Sequence, residues 1–217
     1  MLRMKKMGLI ALLLPTVMLS SCDLTVFDYW IDEDYDLRVV RYSDRSKTVA
    51  VDEYYYHGDK YDGEITINIT IPESIGGMPV RDFGRYSTSE ISHKFYHDGL
   101  RMNQSSDINF AIICSSYFAE GTVINLNINI EADLDTFNLF SPYYHPDFPL
   151  EFLNNNDSED HYGPTPECNL YISINNDNSS NFYSVDGEVY QRRSDGNDTK
   201  LSSRNPKVSV RGNLWWS

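Results

Sequence analysis

The sequence predicts a mostly β domain. Several stretches alternate apolar and polar residues with a period of two. These stretches are rich in isoleucine, valine and tyrosine, which favour strands because they pack well on a pleated surface. Hardly any stretch shows the three-to-four-residue spacing of an amphipathic helix, and only residues 89–100 indicate a short helical turn. We therefore expect a chain of strands and turns.

The N-terminus has the layout of an export signal. Three basic residues within residues 3–6 are followed by an almost wholly apolar run at 9–19, and the small residues Ser20 and Ser21 precede Cys22. This layout resembles bacterial lipoprotein signals, which are cut before the cysteine so that its thiol receives diacylglycerol. The apolar run is shorter than the ~20 residues of a spanning helix, which makes a transmembrane anchor the weaker alternative. The resemblance implies that Cys22 carries a lipid.

The chain divides into three parts. Residues 1–21 are the signal peptide, residues 22–36 form a lipid-anchored tether, and residues 37–217 form one β-rich domain that is long enough to bury a core. The formal net charge of −14 repels phosphate backbones, so we expect no nucleic-acid partner. The acidic cluster at 32–36 lacks the glycine and terminal glutamate of an EF-hand loop, so we interpret it as solvated and expect no metal.

Five alternating stretches predict the strands of the domain. In two of them, isoleucine or leucine occupies every second position, and asparagine lies between these positions at 125, 127 and 129. Asparagine is depleted in strands, so its outward positions have two interpretations. They form either an ordinary polar face or, in a solenoid, a ladder of hydrogen-bonded amides. The five stretches are 49–56, 65–71, 108–114, 124–130 and 170–174.

Residues 141–168 predict an insertion loop. Five prolines interrupt this stretch, and proline lacks the donor that a central strand requires. The polar run at 154–160 is prone to form turns. Two cysteines remain besides Cys22, and the sequence leaves open whether Cys114 and Cys168 form a disulfide or stay as buried thiols.

Two blocks carry a resemblance to a family. In residues 69–84, Pro72 ends a strand, Gly76 and Gly77 permit a tight reversal, and Phe83 returns an apolar group to the core. This block resembles the opening unit of BspA-like leucine-rich-repeat proteins, a group rich in bacterial surface proteins.

The second block follows nearer the C-terminus. Residues 178–190 look like the Asn-x-x-Tyr-x-x-x-Asp-Gly-x-Leu-Tyr module of the same family. The Asp-Gly pair at 186–187 supplies one tight turn, and the pair at 195–196 closes a hairpin whose arms hold Val189 and Leu201. The resemblance implies a short, degenerate leucine-rich-repeat-like β solenoid with a terminal β-hairpin module. Irregular strand spacing leaves a compact β-sandwich as the alternative.

The sequence contains no recognisable catalytic set. It has neither a Gly-x-Ser-x-Gly elbow nor a phosphate-binding glycine loop. His93 and His97 have i, i+4 spacing, but Lys94 stands where a metalloprotease helix needs glutamate. We expect no enzymatic activity, no metal and no cofactor.

The high tyrosine content of the chain indicates a ligand-binding role. Sixteen tyrosines exceed what a core of this size needs, and exposed aromatic rings anchor sugars or proteins. Tyr54, Tyr55 and Tyr56 are the candidate ligand-binding residues, because strand alternation places Tyr55 opposite the other two. The alternative explanation of the tyrosines is strand propensity with core packing.

The expected protein is anchored in the bacterial envelope, at the outer membrane or cell surface or on a periplasmic face. The N-terminal lipid attaches it to the membrane, and the resemblance implies adhesion or recognition of a protein or glycan. One rival hypothesis is a structural envelope-assembly lipoprotein without a soluble ligand. A second rival is a small periplasmic hydrolase.

Replacing Cys22 with serine should release the protein from the membrane fraction. Serine cannot carry the thioether-linked lipid, whose chains contribute about 0.8 kcal/mol per buried methylene. Cell fractionation measures the effect, and Cys168→Ser is the matched control that should stay with the membrane. A Cys22→Ser protein that remains in the membrane fraction, with its signal still cleaved, contradicts the lipid assignment.

Overall fold

The computed structural model describes residues 26–42, 47–84, 110–139, 150–157, 161–175 and 179–212. These residues form several sheets and no helix, so the mostly β fold predicted from the sequence is confirmed. A helix with the length and apolar character needed to span a membrane is therefore not found among them. Cys22, the helical turn expected at 89–100, His93 and His97 lie outside the described residues.

Fifteen strands lie within the described ranges. They are β1 (Val26–Asp32), β2 (Leu37–Tyr42), β3 (Val49–Tyr56), β4 (Glu64–Ile71), β5 (Ser74–Ile75), β6 (Met78–Phe83), β7 (Ala111–Cys114), β8 (Val123–Ile130), β9 (Thr136–Phe137), β10 (Leu150–Asn154), β11 (Glu167–Ile174), β12 (Phe182–Val185), β13 (Glu188–Gln191), β14 (Thr199–Lys200) and β15 (Val208–Gly212). All five stretches predicted from alternation contribute a strand.

The largest sheet has the main order β1-β2-β3-β7-β10-β15. Strands β1, β2 and β3 are antiparallel neighbours, whereas β3, β7, β10 and β15 run parallel to one another. Strand β1 falls within the stretch 22–36 that was interpreted as a tether, and its Trp30 packs against the main core. The same sheet also includes β6, which lies parallel to the first residues of β3 and to β9.

The second sheet consists of three parallel strands in the order β11-β8-β4. Eight consecutive positions pair without a register shift, so that Ile67 lies beside Leu126 and Leu126 lies beside Leu170. Isoleucine, leucine and one cysteine therefore form columns that face the core, and these side chains are almost fully buried. Because both sheets contribute to one core, the compact β-sandwich alternative is compatible with this arrangement.

The outer face of this three-stranded sheet carries the asparagines. Asn127 Nδ2 donates to Asn68 Oδ1 at 2.9 Å, and Asn169 Nδ2 donates to Asn125 Oδ1 at 3.0 Å. Ser173 Oγ donates to Asn129 Oδ1 at 2.9 Å in the same way. Each of these three rows thus contains one cross-strand hydrogen bond, and two of the three bonds join amides, so the hydrogen-bonded interpretation holds for pairs of neighbouring strands.

The tight reversal predicted at Gly76 and Gly77 is confirmed. Both glycines have positive φ, 59° and 77°, and they join β5 to β6 as a two-residue hairpin loop. Positive φ at both central residues is the requirement of a type I′ turn. Phe83 returns to the core, where its ring stacks on that of Phe137 at a centroid distance of 5.2 Å, and Phe137 packs against Phe182 at 6.1 Å.

The turn predicted at Asp186 and Gly187 is of the same kind. Their φ values are 51° and 82°, and they join β12 to β13. Strand β14 then pairs with β13, and Leu201 N donates to Val189 O at 2.8 Å, so the two arms lie beside each other as the sequence predicted.

The insertion loop predicted at 141–168 needs correction. Residues Leu150–Asn154 within it form β10, which lies between β7 and β15 in the largest sheet. Leu150 and Phe152 are fully buried. The prolines at 142, 146, 149, 164 and 166 lie outside these five residues, so none of them removes a donor from the strand. The prediction of a loop, which was based on the prolines of this stretch, is therefore wrong for this short central strand.

Cys114 and Cys168 are free thiols in the structure. Both are buried in the main core, on β7 and β11 respectively. The open question from the sequence is thus answered in favour of buried thiols.

Alanine at Gly84 should destabilise the protein far more than alanine at Gly196. Both glycines have positive φ, which costs an alanine on the order of 1 kcal/mol. At Gly84, however, a Cβ would lie 2.5 Å from the backbone oxygen of Asn138, whereas nothing lies within 4 Å at Gly196. We expect a further loss of about 1–3 kcal/mol for Gly84→Ala, measured by urea unfolding. Equal losses in the two variants would contradict the close approach of these backbones.

Candidate ligand-binding surfaces

The three tyrosines singled out from the sequence lie on both faces of β3. Tyr54 and Tyr56 pack against the main core. Tyr55 lies on the other face and packs against a small cluster of Ala111, Ile113 and Leu153. All three rings are half-buried, so none is an open platform.

Tyr55 also belongs to a network of charged groups. The pairing of β2 with β3 contains a β-bulge at Asp52, since Arg38 pairs with Glu53 and Val39 pairs with Val51. The bulge brings two consecutive carboxylates to one guanidinium: Arg38 contacts Asp52 at 2.8 Å and Glu53 at 2.6 Å. Tyr55 Oη donates to Glu53 at 3.0 Å, and burial raises the pKa of Tyr55. Arg38 offsets one of the two negative charges, and all four side chains have partners within the protein.

A surface depression of about 500 Å³ lies where the chain turns from one sheet to the other. It is formed by the connections between β3 and β4 and between β7 and β8. We call it the aromatic corner, and it is lined by Asp59, Lys60, Tyr61, Asp62, Tyr117, Phe118 and Ala119. Backbone hydrogen bonds join the two connections, including one from Ala119 N to Tyr61 O at 2.8 Å.

The floor of the aromatic corner is a chain of packed rings. Tyr61 contacts Tyr56 edge to face at a centroid distance of 5.6 Å and contacts Phe118 at 5.5 Å. Phe118 contacts Phe152 of β10 at 5.4 Å. The hydroxyl of Tyr61 is fixed as well, because the backbone N–H of Ser115 donates to it at 3.0 Å. The rings are therefore held in place before any ligand arrives.

Tyr117 forms the second aromatic wall of the aromatic corner. Its hydroxyl donates to Asp157 Oδ2 at 2.8 Å, and the same oxygen lies 3.1 Å from His161 Nδ1. Partial burial, together with this bond to the carboxylate, raises the pKa of Tyr117 to about 12. Asp157 thus holds a tyrosine hydroxyl and a histidine ring at the edge of the depression.

Sequence reasoning missed Tyr61 and Tyr117. Both lie in connections without periodicity, so alternation gave no reason to select them among sixteen tyrosines. A usable signal was their position two residues before Gly63 and four before Gly121, where each connection leads into a predicted strand. Within the described ranges, no group of three or more histidine, cysteine or acidic side chains is arranged to hold a metal ion.

A second aromatic pair lies on the terminal hairpin module. Tyr183 and Tyr190 are opposite each other in β12 and β13, and their rings stack at 5.4 Å. The Arg192 guanidinium lies 4.6 Å from the Tyr183 ring centre, and Tyr183 Oη donates to Asp198 at 2.8 Å. Both rings are half-exposed, as are those of Tyr61 and Tyr117, and the aromatic corner differs in that its rings line a depression.

No protein-family model, curated protein or solved structure matches this chain.

The free energy of unfolding should fall as the pH rises above about 9. Burial raises the pKa of the Cys114 and Cys168 thiols from 9.0 to about 12. The pKa of the Tyr117 hydroxyl is likewise raised from 10.0 to about 12. The unfolded chain releases these protons first, so the stabilisation is fully present below pH 9 and is lost as the pH rises toward 12. Urea unfolding at a series of pH values measures this decline.

The matched control is the double variant Cys114→Ala, Cys168→Ala. It should be less stable at neutral pH because two buried side chains are shortened. Its stability should nevertheless decline less between about pH 9 and pH 10, where the thiols of the unfolded chain titrate. A decline as steep as that of the unchanged protein would contradict the shifted thiol pKa values.

Proposed function

We propose that this chain is a lipid-anchored, extracytoplasmic binding protein of the bacterial envelope that recognises a protein or a glycan. The lipid on Cys22 would attach it to a membrane, and the β domain would present the binding surface to the outer membrane, the cell surface or the periplasm. The export signal and the tyrosine content support the anchor and the binding role respectively.

We infer that the domain is a short, degenerate β solenoid of the BspA-like type. In support, three consecutive strand pairs, β3–β4, β7–β8 and β10–β11, each contribute one strand to the largest sheet and one to the three-stranded sheet. Equivalent strands run parallel. The β12–β13 hairpin, with its Asp-Gly turn, corresponds to the terminal module that the resemblance implies.

The observation that carries the binding role is the aromatic corner. A binding site gains affinity when its groups are fixed in advance, because less conformational entropy is lost on association. Tyr61 and Tyr117 meet this condition, since each hydroxyl has a fixed partner while each ring lines the depression. Two carboxylates, Asp59 and Asp62, stand beside these rings as hydrogen-bond acceptors.

The charge around the aromatic corner limits the classes of partner that can bind there. The whole chain has a net charge of −14, and Lys60 is the single base that lines the depression. A polyanion would be repelled, while a neutral sugar or a basic or aromatic protein segment would not. Stacking on tyrosine and hydrogen bonding to carboxylates suit both of these partners.

The test is binding of the Cys22→Ser protein to arrays of proteins and neutral glycans. Tyr117→Ser should weaken binding about tenfold to a hundredfold, which corresponds to the 1.4–2.8 kcal/mol of a typical aromatic anchor. The matched control is Tyr35→Ser, which removes a tyrosine from the turn between β1 and β2. The control should bind like the unchanged protein.

Two results would count against the binding role. One is the absence of a partner on either array. The other is hydrolysis in a panel of envelope substrates that Tyr117→Ser does not alter, since this would favour the hydrolase hypothesis.

A further inference from the structure

The outer face of the β4–β8–β11 sheet is a regular array of polar side chains. We call it the ladder face. Strand alternation turns four residues of each strand outward. Glu64, Val123 and Glu167 form the first row, and the ladder face is the three rows beyond it, each three strands wide. The nine residues are Thr66, Asn68, Thr70, Asn125, Asn127, Asn129, Asn169, Tyr171 and Ser173. None of the nine is charged or aliphatic, and all are exposed or half-exposed.

The spacing of the ladder face follows from strand geometry. Neighbouring strands lie about 4.8 Å apart, and residues on one face of a strand repeat about every 6.6 Å. Because the three strands pair without a register shift over eight positions, equivalent side chains form straight columns across the strands. Hydrogen-bonding groups therefore repeat at about 4.8 Å along each column.

The hydrogen bonds of the ladder face fix the orientation of the side-chain amides but occupy only some of their donor and acceptor sites. A side-chain amide has two N–H donors and a carbonyl oxygen with two lone pairs. In the bond from Asn127 to Asn68, and in the bond from Asn169 to Asn125, each donating amide uses one N–H. The second N–H remains for an external acceptor. Since each bond also fixes the orientation of its amide, little entropy is lost when that acceptor binds.

Tyr171 supplies one aromatic ring at the end of the central column. It lies beside Asn127, which lies beside Asn68. The ring packs against Gly187, where any Cβ would overlap it, and the Arg204 guanidinium lies 6.0 Å from its centre. Even so, 46% of Tyr171 is exposed. A fixed and exposed ring gives an apolar contact to a ligand that otherwise hydrogen-bonds.

Negative charge lies at the margins of the ladder face. Asn125 Nδ2 donates to Glu64 at 2.8 Å, and Asn129 Nδ2 donates to Glu131 at 3.3 Å. Glu167 is exposed at the start of β11. A neutral array with acidic margins disfavours an anionic polymer and is compatible with a neutral one that carries hydroxyl groups.

We propose that the ladder face binds an extended neutral glycan whose chain runs across the three strands. A linear, equatorially linked hexose chain advances by close to one strand spacing per sugar, and successive sugars are turned over by about half a turn. Each of three successive sugars can then meet one strand, with hydroxyls at the amides, and the sugar above β11 can place an apolar face on Tyr171. This inference rests on the proposed binding role and specifies a ligand class and a second surface for it.

The test is calorimetry of the Cys22→Ser protein with β-1,4-linked glucose oligosaccharides of two to six sugars. Affinity should rise with length up to about three or four sugars and then level off, because the face is three strands wide. The corresponding oligomers of glucuronic acid should bind at least tenfold more weakly, because of their charge.

Two variants locate the site. Asn127→Val removes the central amide with a residue that favours strands, and Tyr171→Ser removes the exposed ring. Each should weaken binding about tenfold or more. Tyr29→Ser, which removes an exposed tyrosine from the edge strand β1, should leave the affinity unchanged. Melting temperatures identify any variant that fails to fold, and the remaining variant then decides.

The inference is overturned if the neutral oligosaccharides do not bind, if the affinity does not depend on their length, or if neither folded variant weakens binding. These results leave the proposed function intact when the arrays still show a partner that is lost in Tyr117→Ser. Absence of any partner on the arrays and in calorimetry would overturn both proposals together.

Discussion

The eight-position parallel pairing of β4, β8 and β11 constrains the rest of the domain. Parallel strands cannot be joined by a tight turn, so the chain must travel back through other elements between each pair. The strands β7 and β10 and the connection between β7 and β8 lie on this return path. A slip of one residue would turn the isoleucine columns to solvent and the asparagines into the core, and this penalty fixes the register. The core and the ladder face are thus two consequences of one pairing.

The sequence predicted local structure well where one physical rule was decisive. Alternation located β4, β8 and β11, and the need for positive φ located the turns at Gly76-Gly77 and Asp186-Gly187. Alternation says nothing about which strands pair or in which direction, so the asparagine ladder stayed one of two interpretations until the parallel register was known. Strand β10 was missed because five residues are too few to show a period between flanking prolines.

The candidate surfaces were harder to predict than the strands for the same reason. Tyr54, Tyr55 and Tyr56 stood out because they are consecutive. In the structure, however, each of them pairs with a residue of the parallel strand β7, and all three are half-buried. Tyr61 and Tyr117 come together only because two connections more than fifty residues apart stack on each other. Stacking of connections is a tertiary property, and no local pattern within either connection encodes it.

The polar groups of this protein are used in two different ways. Arg38 forms salt bridges with Asp52 and Glu53, and Asp157 accepts a hydrogen bond from Tyr117, so these carboxylates already have internal partners. The amides of the ladder face have internal partners as well, but an amide has more hydrogen-bonding sites than the ladder occupies. Spare hydrogen-bonding capacity on side chains that are already fixed reduces the conformational entropy that is lost when a partner binds. The proposed recognition of a glycan at the ladder face draws on this spare capacity of the amides.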